Sequence, residues 1–267
     1  MIGDYDALLV RSATDVNAEV LAAGKRLAVV GRAGTGVDNI ALDTATHLGI
    51  MVVNAPTSNT VAVAEHTMAL MLSLARHIPQ ADVTTHAGRW EKKAFMGTEL
   101  RDKVLGLVGF GRVGRAVAQR ARAFEMHILA YDPFLTPEAA ARLDVQVVTL
   151  DDLLRQSDYV SVHAPSTDST RGMIGAHTLS LMKPTAYLIN CARGDLVAQD
   201  DLYQALCERR IAGAALDVFV DEPNVDPRLR ECANILLTPH LGASTEEAQA
   251  DAAVQVARQI ADVLEGR

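Results

Sequence analysis

Short apolar runs alternate with helix-periodic segments along almost the whole chain, the pattern of a parallel sheet joined by crossover helices. In the first part the pattern predicts strands at Ala7–Val10, Leu27–Val30 and Ile50–Val53, with helices at Asn17–Ala23 and Asp43–Leu48 between them. The turn-rich stretch from Asn54 to Asn59 then reads as a crossing into a second domain. After it, Val61–His77 carries Ala, Met and Leu on most faces, which predicts a long buried helix suited to a subunit contact. Further strands are predicted at Val104–Val108, His127–Tyr131, Val145–Val148, Tyr159–His163, Ala186–Asn190, Ala212–Leu216 and Ile235–Leu237. The closing segment, Thr245–Leu264, is helical, with Ser244 as its expected cap and Glu246 and Glu247 favoured by the dipole of the first turn. It is expected to return to the first domain. The chain is therefore expected to be α/β in two domains, residues 1–56 completed by 244–267, and residues 57–243. Ala7–Val10 follows Met1 so closely that the first domain reads as lacking an opening strand and helix.

Composition narrows the function classes. A chain of 267 residues can build two cores. No apolar run approaches the roughly 20 residues of a membrane span, and the start has no basic region leading into an apolar core. Cys191, Cys207 and Cys232 are too few and too irregularly spaced for a disulfide framework or a zinc site, so no metal is expected and a reducing cytoplasm fits. A net charge of −8 argues against nonspecific nucleic-acid binding, which draws on basic surface. Acidic small molecules stay open to a locally basic pocket.

The apolar run from Val104 ends in Gly109-Phe110-Gly111-Arg112-Val113-Gly114. Gly109 permits a tight turn, Gly111 removes a Cβ that would block phosphates, and Gly114 lets helix and strand pack closely, while the helix amino terminus faces the anion. Asp132, about 20 residues on, stands where such folds place the carboxylate that bonds the adenosine ribose. Pro133 and Phe134 beside it offer no cation for a 2′-phosphate, which points to NAD rather than NADP. The second domain is thus expected to be a Rossmann-type doubly wound parallel sheet.

Ligands of open α/β sheets sit beyond the carboxyl ends of the strands. Three successive strands are followed by Arg193, Glu222 and His240. Hydride transfer to or from a 2-hydroxy or 2-keto acid needs such a trio. Arg193 would grip the substrate carboxylate and carbonyl with its planar fork. His240 would exchange the proton as the carbonyl is reduced or formed. Glu222 would favour the imidazolium form and fix the ring. His66 and His77, on the long helix, read as contact residues, and His163 as a border of the cofactor cleft through its backbone.

The first part ends its strands with Arg11-Ser12, with Arg32 through Asp38 and with Asn54 through Asn59. Arg11 and Arg32, at neighbouring strand ends of an acidic protein, make a local positive pocket suited to a doubly charged group such as a phosphate. The turn through Gly34 and Gly36 exposes backbone N–H groups to a carboxylate.

These residues resemble the D-isomer-specific 2-hydroxyacid dehydrogenases over nearly the whole chain. The resemblance rests on Gly31 through Asn39, Trp90 through Lys93, Phe95 through Leu100, Asn190 through Gly194, Ala215 through Phe219 and Pro239 through Thr245. It implies a flavodoxin-like substrate domain, here apparently truncated, beside the Rossmann domain. It implies Arg193, Glu222 and His240 as the catalytic set. Cofactor contacts are implied from Arg112, Val113, Asp132, Ala164, Cys191, Asp217 and Gly242, with Thr35 near the nicotinamide. Arg11, Ser12, Arg32 and Asn59 match substrate-binding residues. The implied reaction is NAD-dependent oxidation of D-3-phosphoglycerate to 3-phosphohydroxypyruvate, which opens serine synthesis, in a homodimer. The resemblance also implies that regulatory domains carried by many relatives after the position of Arg267 are missing, and with them serine feedback. A glyoxylate or hydroxypyruvate reductase is the alternative on the same fold, and a noncatalytic NAD-sensing corepressor the alternative of another class.

Overall fold

A computed structural model describes residues 2–266. In chain order its elements are β1 (Ala7–Val10), α1 (Ala18–Ala23), β2 (Val29–Arg32), α2 (Leu42–His47), β3 (Met51–Asn54), α3 (Thr60–Arg76), α4 (Ile78–His86), β4 (Val104–Val108), α5 (Arg112–Ala123), β5 (His127–Tyr131) and α6 (Pro137–Arg142). They continue as β6 (Gln146–Val147), α7 (Leu150–Gln156), β7 (Tyr159–Val162), α8 (Ala176–Leu181), β8 (Tyr187–Asn190), α9 (Gln199–Cys207), β9 (Gly213–Leu216), α10 (Pro227–Glu231), β10 (Ile235–Leu237) and α11 (Glu246–Leu264). The chain divides into two compact units, one holding the residues up to Ala62 and those from Ala243 on, the other Val63–Gly242.

The first unit is a three-stranded parallel sheet in the order β1-β2-β3. One apolar cluster joins Val10, Leu21, Leu27, Val30, Ala45 and Ile50, and another seats α11 through Ala252 and Val256 against Ala55. The strand expected at Leu27–Val30 runs instead over Val29–Arg32, in register with Val10 at Arg32, so Leu27 serves as a core residue ahead of the strand. Helix α11 does belong to this unit. Its cap is Thr245, whose side chain accepts from the Ala248 N–H, and not the expected Ser244. Both are hydroxyl residues, and the spacing of three to the donating amide decides between them.

The second unit is a seven-stranded parallel sheet in the order β10-β9-β8-β7-β4-β5-β6. The chain winds outward from β4 to β6, returns to the middle at β7 and winds outward the other way, so the order reverses between β4 and β7. Alternate residues feed two cores. Leu105, Leu107, Ile128 and Ala130 pack with Met68, Met71 and Leu74 of α3 and Val117, Ala118 and Ala121 of α5. Val108, Leu129, Val160, Val162 and Leu188 pack with Leu153, Leu179 and Leu202 of α7, α8 and α9. The sheet is therefore doubly wound. The expected strand Val145–Val148 is cut to Gln146–Val147 at the sheet edge. The long helix ends at Arg76 because His77 turns left-handed, at φ 53°, and Pro79 stands in the first turn of α4. Among the described residues no helix is long and apolar enough to cross a membrane.

Candidate active site

Parallel register aligns the strand ends of the second unit in one row. Tyr131 pairs with Val108, Val108 with Val162, Val162 with Asn190, Asn190 with Leu216 and Leu216 with Leu237. Each sequence-predicted residue of this unit follows a member of that row. Gly109–Gly114 follow β4, Asp132 follows β5, Ala164 β7, Cys191 and Arg193 β8, Asp217 and Glu222 β9, and His240 and Gly242 β10. The predicted residues Arg11, Ser12, Thr35, Arg32 and Asn59 belong to the first unit and are described with its own rim.

At the reversal of strand order lies the glycine turn. Gly109 has φ +96°, and a Cβ there would stand 2.7 Å from the His163 carbonyl carbon and 2.8 Å from the Ala164 nitrogen, so the turn presses directly on the end of β7. A Cβ on Gly114 would collide with the Gly109 carbonyl oxygen, which is how α5 starts so close to β4. At Gly111 a Cβ would meet nothing within 4 Å, and Gly111 and Arg112 are exposed. Gly111 caps α5 without a side-chain acceptor, leaving the first N–H groups of the helix directed outward. Asp132 steadies the turn, accepting from Phe110 N at 2.8 Å and from Phe134 N at 2.9 Å. An open amino terminus, a missing Cβ on the outer side and a carboxylate at the adjacent strand end fit a dinucleotide pyrophosphate and ribose.

His163 extends this support. Its backbone N–H donates to Val108 O at 2.7 Å and its Nε2 lies 2.9 Å from Ser161 Oγ. Desolvation of the ring pulls its pKa down to about 4, so it is neutral at physiological pH. Ring and backbone of His163 are both tied to the neighbouring strand ends.

The next loop holds Arg193. Buried Asn190 shapes it, donating from Nδ2 to Arg193 O at 2.8 Å and accepting from Ala192 N at 3.0 Å. Arg193 Nη1 donates to Ala192 O at 2.8 Å. Gly194 lies against the backbone of Phe219, and a Cβ there would stand 2.6 Å from Val220 N. Phe219 N in turn donates to Glu222 Oε1 at 3.0 Å, and His240 Nδ1 donates to Glu222 Oε2 at 2.7 Å. The three rim loops thus touch in series, Gly194 to Phe219 to Glu222 to His240. Because an ionised carboxylate only accepts, Nδ1 carries the hydrogen and Nε2 is left for proton exchange. The His240 side chain is 50% exposed, which lets a ligand reach it.

Beneath His240 lies Asp217, whose side chain is 1% exposed. Its carboxylate meets Thr238 Oγ1 at 2.6 Å, Gly242 N at 2.7 Å, Leu241 N at 2.8 Å and His66 Nε2 at 3.1 Å. Its backbone O accepts from His240 N at 2.8 Å, and His240 itself is left-handed at φ 54°. Burial pushes the Asp217 pKa up, but the bonds from His66, Thr238, Leu241 and Gly242 together outweigh it and hold the group below the usual carboxylate range. His66, read from sequence as a contact residue, is thus bound to the ion that shapes the histidine corner. Cys191 is buried near Thr67 and Asp217, and burial pushes its thiol up to about 12. Neither Cys191 nor Asp217 therefore presents a free charge at the rim.

In the first unit Val10, Arg32 and Asn54 form a second register row. Arg11 and Ser12 follow its first member and are exposed. The Arg32 guanidinium passes over Gly34, where a Cβ would collide with it. Thr35 Oγ1 lies 2.9 Å from Asn59 Oδ1 and 3.1 Å from Ala55 O, and Asn54 Nδ2 donates to Thr35 O at 2.7 Å. These bonds tie the Arg32–Gly36 turn to the Asn54–Asn59 turn. Arg11 and Ser12 stand at the end of β1, on the other side of β2.

Residues 68–242 match the family model for the D-isomer specific 2-hydroxyacid dehydrogenase, NAD binding domain. The chain belongs to this family. The D-3-phosphoglycerate dehydrogenase of Synechocystis sp. is 50% identical over 266 residues, which cover 100% of this chain and 48% of the relative. The chain spans about half the length of the curated relatives it matches. Among solved structures, the TT0316 protein from Thermus thermophilus matches with a TM-score of 0.90 and 34% identity, covering 97% of this chain and 83% of that one. The D-lactate dehydrogenase from Aquifex aeolicus, complexed with NAD and lactic acid, matches with a TM-score of 0.88 and 29% identity over 99% of this chain and 84% of its own. NAD is the cofactor to which the 68–242 domain is fitted.

Proposed function

We propose that the chain carries the catalytic machinery for NAD-dependent oxidation of D-3-phosphoglycerate to 3-phosphohydroxypyruvate. The observation that carries this reading is the His240–Glu222 pair, with Arg193 in the adjoining loop, on the same strand-end row as the glycine turn. NAD, when bound, supplies the acceptor for the hydride leaving the substrate C2. His240 Nε2 takes the hydroxyl proton as the carbonyl forms, and Glu222 compensates the charge that the ring gains. Arg193 holds the carboxylate with its fork and fixes which face of C2 is presented. Gly109, Gly111, Arg112, Val113, Gly114, Asp132 and Ala164 hold the dinucleotide, with Cys191, Asp217 and Gly242 toward its reactive end and Thr35 near the nicotinamide. Arg11, Ser12, Arg32 and Asn59 bind the anionic groups of the substrate.

A homodimer in a reducing cytoplasm completes the reading. Its support is the exposure of large apolar side chains, Trp90 at 86% and Met96 at 81%, and three free thiols. The test is a steady-state assay of NADH oxidation with 3-phosphohydroxypyruvate and, beside it, hydroxypyruvate and glyoxylate. The phosphorylated acid is expected to be preferred, and Arg11→Ala or Arg32→Ala to raise its KM about tenfold or more while leaving unphosphorylated acids little changed. Equal losses on both kinds of substrate would make the enzyme a general 2-keto acid reductase.

A further inference from the structure

Two thiols stand together away from the rim. On α9, Asp200, Tyr203 and Cys207 share one face, at helical spacing. Arg228 at the start of α10 docks on that face, with Nη2 bonded to Asp200 Oδ1 and its guanidinium 5.2 Å from the centroid of the Tyr203 ring. One turn further along each segment come Cys207 and Cys232, and Cys232 Sγ reaches back to Arg228 O at 3.4 Å. Asn234 locks the same register, donating from Nδ2 to Leu206 O and to Ala212 O at 3.3 Å each. This register brings Cys207 and Cys232 to neighbouring positions, close enough that Cys207 bears on the Cys232 thiol. Cys207 is exposed and Cys232 partly so.

We infer that Cys207 and Cys232 form a redox-sensitive pair that a hydroperoxide closes into an intrachain disulfide. Cys207, the exposed member, meets the oxidant first. Its thiolate sulfur attacks the O–O bond, an S–O bond forms, and the peroxide is reduced to the alcohol, or to water from hydrogen peroxide. The Cys232 sulfur then attacks the Cys207 sulfenic acid, the S–S bond forms, the S–O bond breaks, and hydroxide leaves to take up the Cys232 proton as water. One hydroperoxide is reduced for two thiols oxidised. Burial pushes the Cys232 thiol up, as does the neighbouring Cys207, which suits Cys232 to the second step rather than the first. Cys191, protonated and buried, takes no part. The new bond would tether α9 to the segment that runs from Glu222 to His240.

The test uses the full chain, equimolar hydrogen peroxide, N-ethylmaleimide to block remaining thiols, and peptide mass spectrometry without reduction. The expected product is a peptide pair joined through Cys207 and Cys232, lighter by two hydrogens than its parts and separated by dithiothreitol. Cys207→Ser is expected to abolish it, and Cys232→Ser to leave a Cys207 sulfenic acid that dimedone captures. Both cysteines remaining open to N-ethylmaleimide after peroxide is consumed, a bond to Cys191, or a bond only between chains would overturn the inference. The readout is independent of which acid the enzyme oxidises.

Discussion

His66 Nε2 stands 3.1 Å from Oδ1 of Asp217, 151 residues further along the chain. The carboxylate also collects Thr238, Leu241 and Gly242, so the corner that presents His240 is folded around one buried ion. Asp217→Asn would turn an amide N–H2 toward at least one of these donors. The expected loss is about 1–3 kcal/mol of stability in denaturant unfolding, for a buried donor left unpaired. A fall in kcat of about 10²-fold is also expected from displacement of His240. A stability loss with unchanged kcat would leave Asp217 a structural residue only.

The glycine turn separates folding from binding. Ala at Gly111 adds a methyl that touches no protein atom within 4 Å, so the melting temperature should hold while NAD affinity, measured by calorimetry, drops. Ala at Gly114 drives into the Gly109 carbonyl and should lower both, with a stability cost of about 1–3 kcal/mol for an overpacked contact. Equal effects from the two variants would remove the distinction.

Replacement of His240 by Gln abolishes the exchangeable proton at Nε2 and is expected to cut kcat by about 10²–10⁴-fold, the usual worth of a positioned general base. Glu222→Gln carries no charge and can accept from only one of Phe219 N and His240 Nδ1, yet leaves the ring itself in place, so a smaller loss is expected, in kcat more than in KM. Single-turnover rates decide the order of the two. A larger loss in the glutamate variant would argue that Glu222, not His240, exchanges the proton.

His163 makes the fold acid-sensitive. Its pKa in the folded chain is about 4, below the ordinary 6.5, so its neutral ring contributes fully above about pH 6.5 and that contribution is lost as the pH falls toward 4. The loss amounts to up to about 3 kcal/mol at the lower end of that window. His163→Gln is expected to flatten the slope of unfolding free energy between pH 6.5 and 4, measured by urea titration. An unchanged slope would assign the acid sensitivity to other groups.

Much of this architecture is legible in the sequence because parallel strands are written as apolar runs and the polar residue after each run has nowhere to go but the rim. Thus β4, β5 and β10 fall on their expected residues, and Arg193, Glu222 and His240 emerge as loop neighbours. What sequence conceals is side chains that pair across long separations. Nothing local marks His66 as the partner of Asp217, or Asn190 as the brace of Arg193, since each looks like an ordinary polar residue of a helix or strand. Similarly, β2 shifts toward Arg32 because pairing with β1 and β3, not its own apolar content, sets its ends. Tertiary register overrides local pattern there.

The aligned row from Tyr131 to Leu237 also divides the chain by the kind of change it can absorb. A residue added within β8 would carry Arg193 about 3.3 Å along the strand and turn its neighbours to the opposite face. The same addition at a distant helix–strand connection would leave every strand end where it is. Variation in this protein is therefore a matter of counting inside the strands and of chemistry outside them.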